Sequence, residues 1–286
     1  MSFTSKIKTE ISNDIYSLSE NMAELSGILN ISVKIYDNKF EIYTENASVA
    51  KRIYKLLKEI YHIDIKTDTG EVNTLRGNKL IVLIVGDKVD LILNDLCIIK
   101  NNERIYVPSL YLVDDIRDKQ SYLRGVFLMC GSINDPKTSR YHCEFVISNY
   151  NTAEYVNNLL NEMHFKSKLI KRDKNYMVYI KEAERISDFI KMLNATNALF
   201  YFEDIRIYRD HKNMTNRLNN CEQANVDKTI DASRKQMDDI SLIKEFIGLD
   251  AVPEKIRDVV IYREKYPEAS LLELSYIIGS ETDKPI

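Results

Sequence analysis

The chain has 286 residues, 44% hydrophobic and 29% charged, with only 8 glycines and 5 prolines, which excludes a disordered or collagen-like chain and leaves room for two or three compact units. No run of about 18 uncharged apolar residues is present to span a bilayer, and Met1 to Glu10 is too polar for a secretory signal, so a cytoplasmic location is expected. A formal net charge of -3 removes whole-chain basicity as an argument for nucleic acid, and any such contact has to come from a local patch.

Taken in order, the hydrophobic pattern predicts an apolar helix with a central glycine (Leu25 to Ile31), a strand pattern (Val33 to Tyr43), an amphipathic helix, a strand (Leu80 to Val85) and a closing helix (Lys88 to Leu96). Residues 101–120, with Pro108 and many charges, read as a connector. The series then recurs as Leu123 to Met129, Tyr141 to Ser148, a second amphipathic helix, Tyr176 to Ile180 and Ala183 to Leu193. The two amphipathic helices match at a constant offset: Ala50, Ile53, Leu56, Leu57, Glu59 and Ile60 correspond to Ala153, Val156, Leu159, Leu160, Glu162 and Met163. Residues 1–100 therefore hold an N-terminal region and a first repeat, and residues 121–212 a second. The expected fold class is α+β, two pseudo-symmetric repeats, each a sheet with helices on one face. Alternation places Lys34, Tyr36, Glu41, Tyr43, His142 and Glu144 on the other, open face.

The character changes after the second repeat. Residues 213–249 lack proline, are rich in Asn, Lys, Asp and Gln, and read as a partly exposed linking helix closed by Gly248. Residues 250–286 read as an all-α unit. Pro253 to Tyr266 forms a helix stopped by Pro267, and Ser270 to Gly279 a capped helix ending in glycine, the first half of a helix-turn-helix whose turn is Ser280 to Ile286. The four cysteines, Cys97, Cys130, Cys143 and Cys221, form no C-x-x-C pair, so reduced thiols are expected and neither a disulfide framework nor a metal site.

In each repeat the glycine helix is nearly all apolar, Leu25-Ser26-Gly27-Ile28-Leu29-Asn30-Ile31-Ser32-Val33 and Leu123-Arg124-Gly125-Val126-Phe127-Leu128-Met129-Cys130-Gly131. Small residues allow close approach, and the two copies are expected to pack together on a pseudo-twofold axis. At these residues the chain resembles the LAGLIDADG homing endonucleases, and the resemblance implies a saddle of strands around the helix pair. In that family the acid next to last in the motif holds catalytic metal; the matching positions are Ser32 and Cys130. A hydroxyl and a thiol cannot replace carboxylates around Mg²⁺, so cleavage is expected to be lost and no cofactor is implied. Of the nearby acids Glu24, Asp37, Asp135 and Glu144, none occupies the same position in both repeats. His142 and Cys143, adjacent on a strand, point to opposite faces and cannot readily share a metal.

A fuller resemblance, to the WhiA family of bacterial regulators, is carried by Leu123 to Pro136, Tyr141-His142, Glu203 to Arg206, Asn216 to Asn225 and Tyr266 to Leu271. It implies a nucleoid-associated DNA-binding transcription regulator in cell division, chromosome segregation and, where present, sporulation, with no membrane or small-molecule partner. A degenerate nuclease domain serving as a platform for a division or transcription protein is the alternative. The candidate DNA contacts are Ser270, Leu271, Glu273, Leu274, Ile277, Ser280 and Lys284, together with Arg206, Arg209, Lys212 and Arg217, which lie in a segment with a small positive excess. Because the chain stops at Ile286, the helix-turn-helix is expected to be incomplete, as in a shortened chain that keeps its fold and loses most specific DNA affinity.

Overall fold

The computed structural model describes residues 1–70 and 80–282. After an N-terminal helix, α1 (Phe3–Ile11), the first repeat runs α2 (Leu18–Ser32), β1 (Val33–Tyr36), β2 (Lys39–Thr44), α3 (Ala47–Tyr61), β3 (Ile65–Gly70), β4 (Leu80–Val85) and α4 (Val89–Asp95). A two-residue hairpin, β5 (Ile99–Lys100) and β6 (Glu103–Arg104), and a 3-10 turn at Leu110–Leu112 occupy the connector. The second repeat follows as α5 (Ile116–Cys130), β7 (Gly131–Ile133), β8 (Cys143–Ile147), α6 (Tyr150–Glu162), β9 (Lys168–Arg172), β10 (Asn175–Ile180) and α7 (Ala183–Met192). The two four-stranded antiparallel sheets have the same order, β1-β2-β4-β3 and β7-β8-β10-β9.

Local chemistry sets these elements. Ser17 and Glu20 form a reciprocal capping box at the start of α2. Asn46 accepts from the amides of Ser48 and Val49 to start α3, and Asn149 accepts from Thr152 to start α6, so the two amphipathic helices begin on matching asparagine caps. Strand alternation turns Phe40, Ile42, Leu83 and Val85 inward in one sheet and Cys143, Phe145, Ile147, Val178 and Ile180 in the other, all buried.

The glycine helices α2 and α5 pack against each other as expected. A Cβ on Gly27 would land on the carbonyl oxygen of Tyr122, and one on Gly125 on that of Glu24, with the amide of Ile28 3.1 Å away. Backbone thus meets backbone, and neither neighbour can swing aside. Glu24 itself is fully buried between two arginines. Its carboxylate accepts from Arg124 Nε at 2.7 Å and Arg52 Nη2 at 2.9 Å, and also from Arg52 Nε. Arg52 belongs to the first repeat and Arg124 to the second, so one carboxylate ties both across the axis. The Arg124 guanidinium also lies 3.5 Å from the centroid of Tyr16.

The chain forms two compact units, Met1–Ile207 and Tyr208–Ile286. The helix that carries the boundary, α8, spans Thr196–Phe246, 51 residues, instead of beginning near residue 213. Its first turns are amphipathic, with Ala198 and Phe202 buried, and that core packing extends the helix back to Thr196. It ends at Gly248, whose φ of +79° and amide hydrogen bond to the Ile243 carbonyl suit a glycine. In the second unit a 3-10 turn (Leu249–Ala251) leads to α9 (Glu254–Lys265) and α10 (Leu271–Thr282).

Three expectations change. The span Val33 to Tyr43 is a hairpin of two strands, and Tyr141 to Ser148 shrinks to β8 with β7 ahead of it. Gly279 does not end its helix: Leu274 and Ile278 are each 3% exposed, and their burial outweighs the roughly 1 kcal/mol an interior glycine costs. The turn expected from Ser280 is therefore helical up to Thr282, while residues 283–286, Lys284 among them, lie outside the described residues. Among the described residues no helix is long and apolar enough to cross a membrane.

Candidate nucleic-acid interface

Ser32 and Cys130 are the last residues of α2 and α5, the equivalent ends of the axial pair. Each turns back on its own helix: Ser32 Oγ donates to the Ile28 carbonyl at 3.1 Å, and Cys130 Sγ to that of Val126 at 3.4 Å. Burial pushes the Cys130 thiol up to about 12, so it stays neutral. Near it, burial lowers the Lys8 ammonium to about 8, against the opposing pull of Cys130 and Glu45. An alcohol, a neutral thiol and an ammonium do not form a donor set for Mg²⁺. Among the described residues no group of three or more His, Cys, Asp or Glu side chains could hold a metal ion.

The sheet register reveals a symmetry that inspection of the acids missed. The open-face row beside the first helix end is Lys34, Glu41, Ile84, Lys66, and beside the second it is Ser132, Glu144, Tyr179, Lys168. Glu144 therefore has a counterpart, Glu41, at the same position of the first repeat, correcting the expectation that it had none. The offset that relates Ala50 to Ala153 also relates these two, so the signal was present. Each carboxylate has a basic neighbour two residues earlier: Lys39 Nζ lies 2.6 Å from Glu41 and His142 Nε2 3.1 Å from Glu144. Tyr43 also donates to Glu41. The hydrogen bonds from Lys39 and then Tyr43 hold the Glu41 carboxyl below its ordinary range.

Of the side chains assigned to the open face, Lys34 and Tyr36 are exposed, Tyr43, His142 and Glu144 are half-buried, and Glu41 is buried at 8% exposure under its two partners. Cys143 is fully buried while His142 faces the other way, as alternation required.

The most basic stretch of either sheet lies in the β9–β10 hairpin, which the sequence reading passed over. Lys168, Lys171, Arg172 and Lys174 are all exposed, with Asp173 as the one acid among them. Lys168 and Arg172 lie on the open face, paired in register with Tyr179 and Asn175. Among the described residues no carboxylate lies within ion-pair distance of these four, whereas Lys166 is tied to Glu182 at 3.0 Å. The matching strand β3 alternates Lys66 with Asp68 on that face. The run Lys166-Ser-Lys-Leu-Ile-Lys-Arg-Asp-Lys174 was legible as local charge; the neutral-to-acidic total obscured it.

In the second unit, two of the proposed DNA contacts prove to be helix-forming groups. The Ser270 amide donates to Glu273 Oε2 at 2.8 Å and the Glu273 amide to Ser270 Oγ at 3.2 Å, a capping box that starts α10. Leu274 is buried and cannot reach a ligand, which removes it from the contact set. Ile277 is half-buried, Ser280 Oγ donates to the Ile277 carbonyl at 2.9 Å, and Leu271 is exposed. Tyr276, on the same helix, is 70% exposed. On α8, Arg206 pairs with Glu203 at 2.7 Å, Arg209 is half-buried, and Lys212 and Arg217 are exposed.

Three family models match: residues 18–99 fit the WhiA N-terminal LAGLIDADG-like domain, residues 119–212 the WhiA LAGLIDADG-like domain, and residues 215–286 the WhiA C-terminal HTH domain. The chain is 38% identical over 288 residues to the probable cell division protein WhiA of Lacticaseibacillus casei, covering 98% of this chain and 90% of that one. Identity and coverage are the same for the protein of that name from Bacillus licheniformis. Among solved structures it is similar to full-length DUF199/WhiA from Thermatoga maritima, with a TM-score of 0.64, 22% identity, and coverage of 100% of this chain and 93% of that one. It is also similar to the N-terminal LAGLIDADG domain of DUF199/WhiA, with a TM-score of 0.55, 18% identity, and coverage of 67% and 89%. These two likenesses concern the fold.

Proposed function

The chain belongs to the WhiA family, and from that premise we propose that it is a DNA-binding transcription regulator acting in cell division, with roles in chromosome segregation and, where the organism sporulates, sporulation. The observation that carries this reading is the helical unit matching the HTH model: α10 starts on a capping box, buries Leu274 and Ile278, and leaves Leu271 and Tyr276 outside. The β9–β10 hairpin supplies a second, sequence-independent contact, because exposed lysines and arginines displace counterions from the phosphate backbone. A nucleoid-associated location follows from such binding.

The protein does not cut the DNA it binds. Ser32 and Cys130 offer no carboxylate where the fold's hydrolytic chemistry places one, and Glu41 and Glu144 are each engaged by a basic side chain. Gel-shift titration of genomic fragments against salt, followed by incubation of supercoiled plasmid with Mg²⁺ or Mn²⁺, tests both statements. Saturable binding without nicking is expected. Nicking above buffer would overturn the second statement, and affinity no better than that of an unrelated acidic protein the first. A second reading, a docking platform for a division protein, is favoured by the mixed charge on the open face of the first sheet, where Lys34, Lys66, Glu41 and Asp68 alternate.

A further inference from the structure

From Asp210 to Lys228 every side chain of α8 is exposed. This stretch is not self-sustaining by composition. Asn213, Thr215, Asn216, Asn219, Asn220 and Asn225 are poor helix formers, and most helical stability in proteins comes from a packed face, which this stretch lacks within one chain. Its persistence as part of a 51-residue helix calls for a covering surface.

The pattern along it specifies one. Ile207, Met214, Cys221 and Lys228 recur every seven residues, and His211, Leu218 and Asn225 fall four after each of the first three, so all lie along one side of the helix. Ile207 is 62% exposed, Met214 63% and Leu218 54%, and Cys221 is exposed as well. In heptad terms His211, Leu218 and Asn225 take position a, and Ile207, Met214 and Cys221 position d. Arg217 then precedes Leu218 at g, and Glu222 follows Cys221 at e.

We infer that α8 between Ile207 and Lys228 pairs with the same segment of a second copy of this chain as a short, parallel, in-register coiled coil. Charge selects both partner and direction. In the parallel arrangement Arg217 of one copy faces Glu222 of the other, twice by symmetry, the g-to-e pairing of two-stranded coils. An antiparallel arrangement that stacks Leu218 on Met214 sets the two Arg217 side chains against each other. A single Asn at an a position, here Asn225, also specifies register at some expense of stability. The seam is short and only partly apolar, so the pairing is weak and reversible. It would give one assembly two C-terminal helical units, the arrangement that dimeric DNA readers use on paired half-sites.

The intact chain, reduced and free of DNA, is expected to show a reversible monomer–dimer equilibrium by sedimentation. Leu218→Glu should leave it monomeric while the Met1–Ile207 unit melts as before, since Leu218 is 54% exposed and lies outside that unit. Arg217→Glu should weaken the dimer at least several-fold, and adding Glu222→Arg in the same chain should restore it. Cys221 reports direction: a symmetric d layer holds the two Cα atoms within the roughly 4.4–6.8 Å that a disulfide spans, so diamide should yield a cross-linked pair that Cys221→Ser abolishes. A chain monomeric at every concentration overturns the inference, as does a dimer untouched by Leu218→Glu. Pairing seen only with DNA present would assign the seam to the nucleic-acid complex instead, and a dimer without the Cys221 cross-link would overturn the parallel register.

Discussion

The second repeat is knit together by rings where the first uses aliphatic side chains. Phe189 stands edge-on to Phe127, Phe145 and Phe165, with centroids 5.7, 5.6 and 5.5 Å away, while Ile42, Ile53, Leu57 and Ile92 fill the first repeat. The open faces diverge too: the β9–β10 edge is strongly basic and β3 alternates in sign. What the repeats keep in common is the close helix approach, the asparagine caps and the strand order. Backbone-dictated features have been retained in both halves, and side chains that face solvent or fill a core have been free to drift apart.

If the axis serves both repeats equally, its loss should unfold them together. Glu24→Ala leaves Arg52 and Arg124 buried without their carboxylate and should cost about 3–5 kcal/mol, with the two repeats losing amide protection in one step by hydrogen exchange. Loss of protection in the first repeat alone would break the comparison. Gly27→Ala and Gly125→Ala should each cost about 3 kcal/mol in denaturant melts, because each new methyl meets backbone of the opposite helix; unequal effects would mean that only one copy sets the approach.

The next effect belongs to one side only. Lys8, held at about 8 by burial, binds its proton more weakly folded than unfolded, so stability should rise as pH goes from about 8 toward its ordinary 10.5. Lys8→Met should flatten that rise and add on the order of 1 kcal/mol at neutral pH, measured by melts across pH. The smallest effect on stability, and the one that separates the open faces, is on binding. Replacing Lys168, Lys171, Arg172 and Lys174 with alanine should leave the melt unchanged and lower the slope of log affinity against log salt by about 3, whereas Lys66→Ala should change it by less than about 1. Equal effects would show that the charge asymmetry has no role in binding.

Much of this was legible. The offset between Ala50 and Ala153 announced the repeat, and Gly27 and Gly125 announced the close helix pair, because each follows from local geometry. Pairing was harder to read. Glu41 and Glu144 share the offset of Ala50 and Ala153, but the separation of helix end from strand differs between the repeats, so counting from the glycine helices hides the match that the strand register makes plain. The N-terminal helix was missed because nine residues with apolar positions at Phe3, Ile7 and Ile11 look unremarkable until a distant surface receives them. Ser270 and Glu273 were recognised as a helix start and also assigned to DNA, although a capping box already engages both groups.

That N-terminal helix imposes an order of events. Thr4 Oγ1 donates to the Ile133 carbonyl at 2.8 Å and accepts from the same residue's amide at 2.9 Å, while Glu10 accepts from the amides of Asn197, at 2.7 Å, and Ala198, where α8 begins. Residues made first thus dock on residues made almost 190 positions later. At 5–20 residues per second the ribosome takes roughly 10–40 s to supply that dock. Throughout this interval Phe3 lacks the rings of Tyr201 and Phe202 that it packs on in the finished fold, a window in which a holding chaperone would act and one that closes only when the start of α8 has emerged.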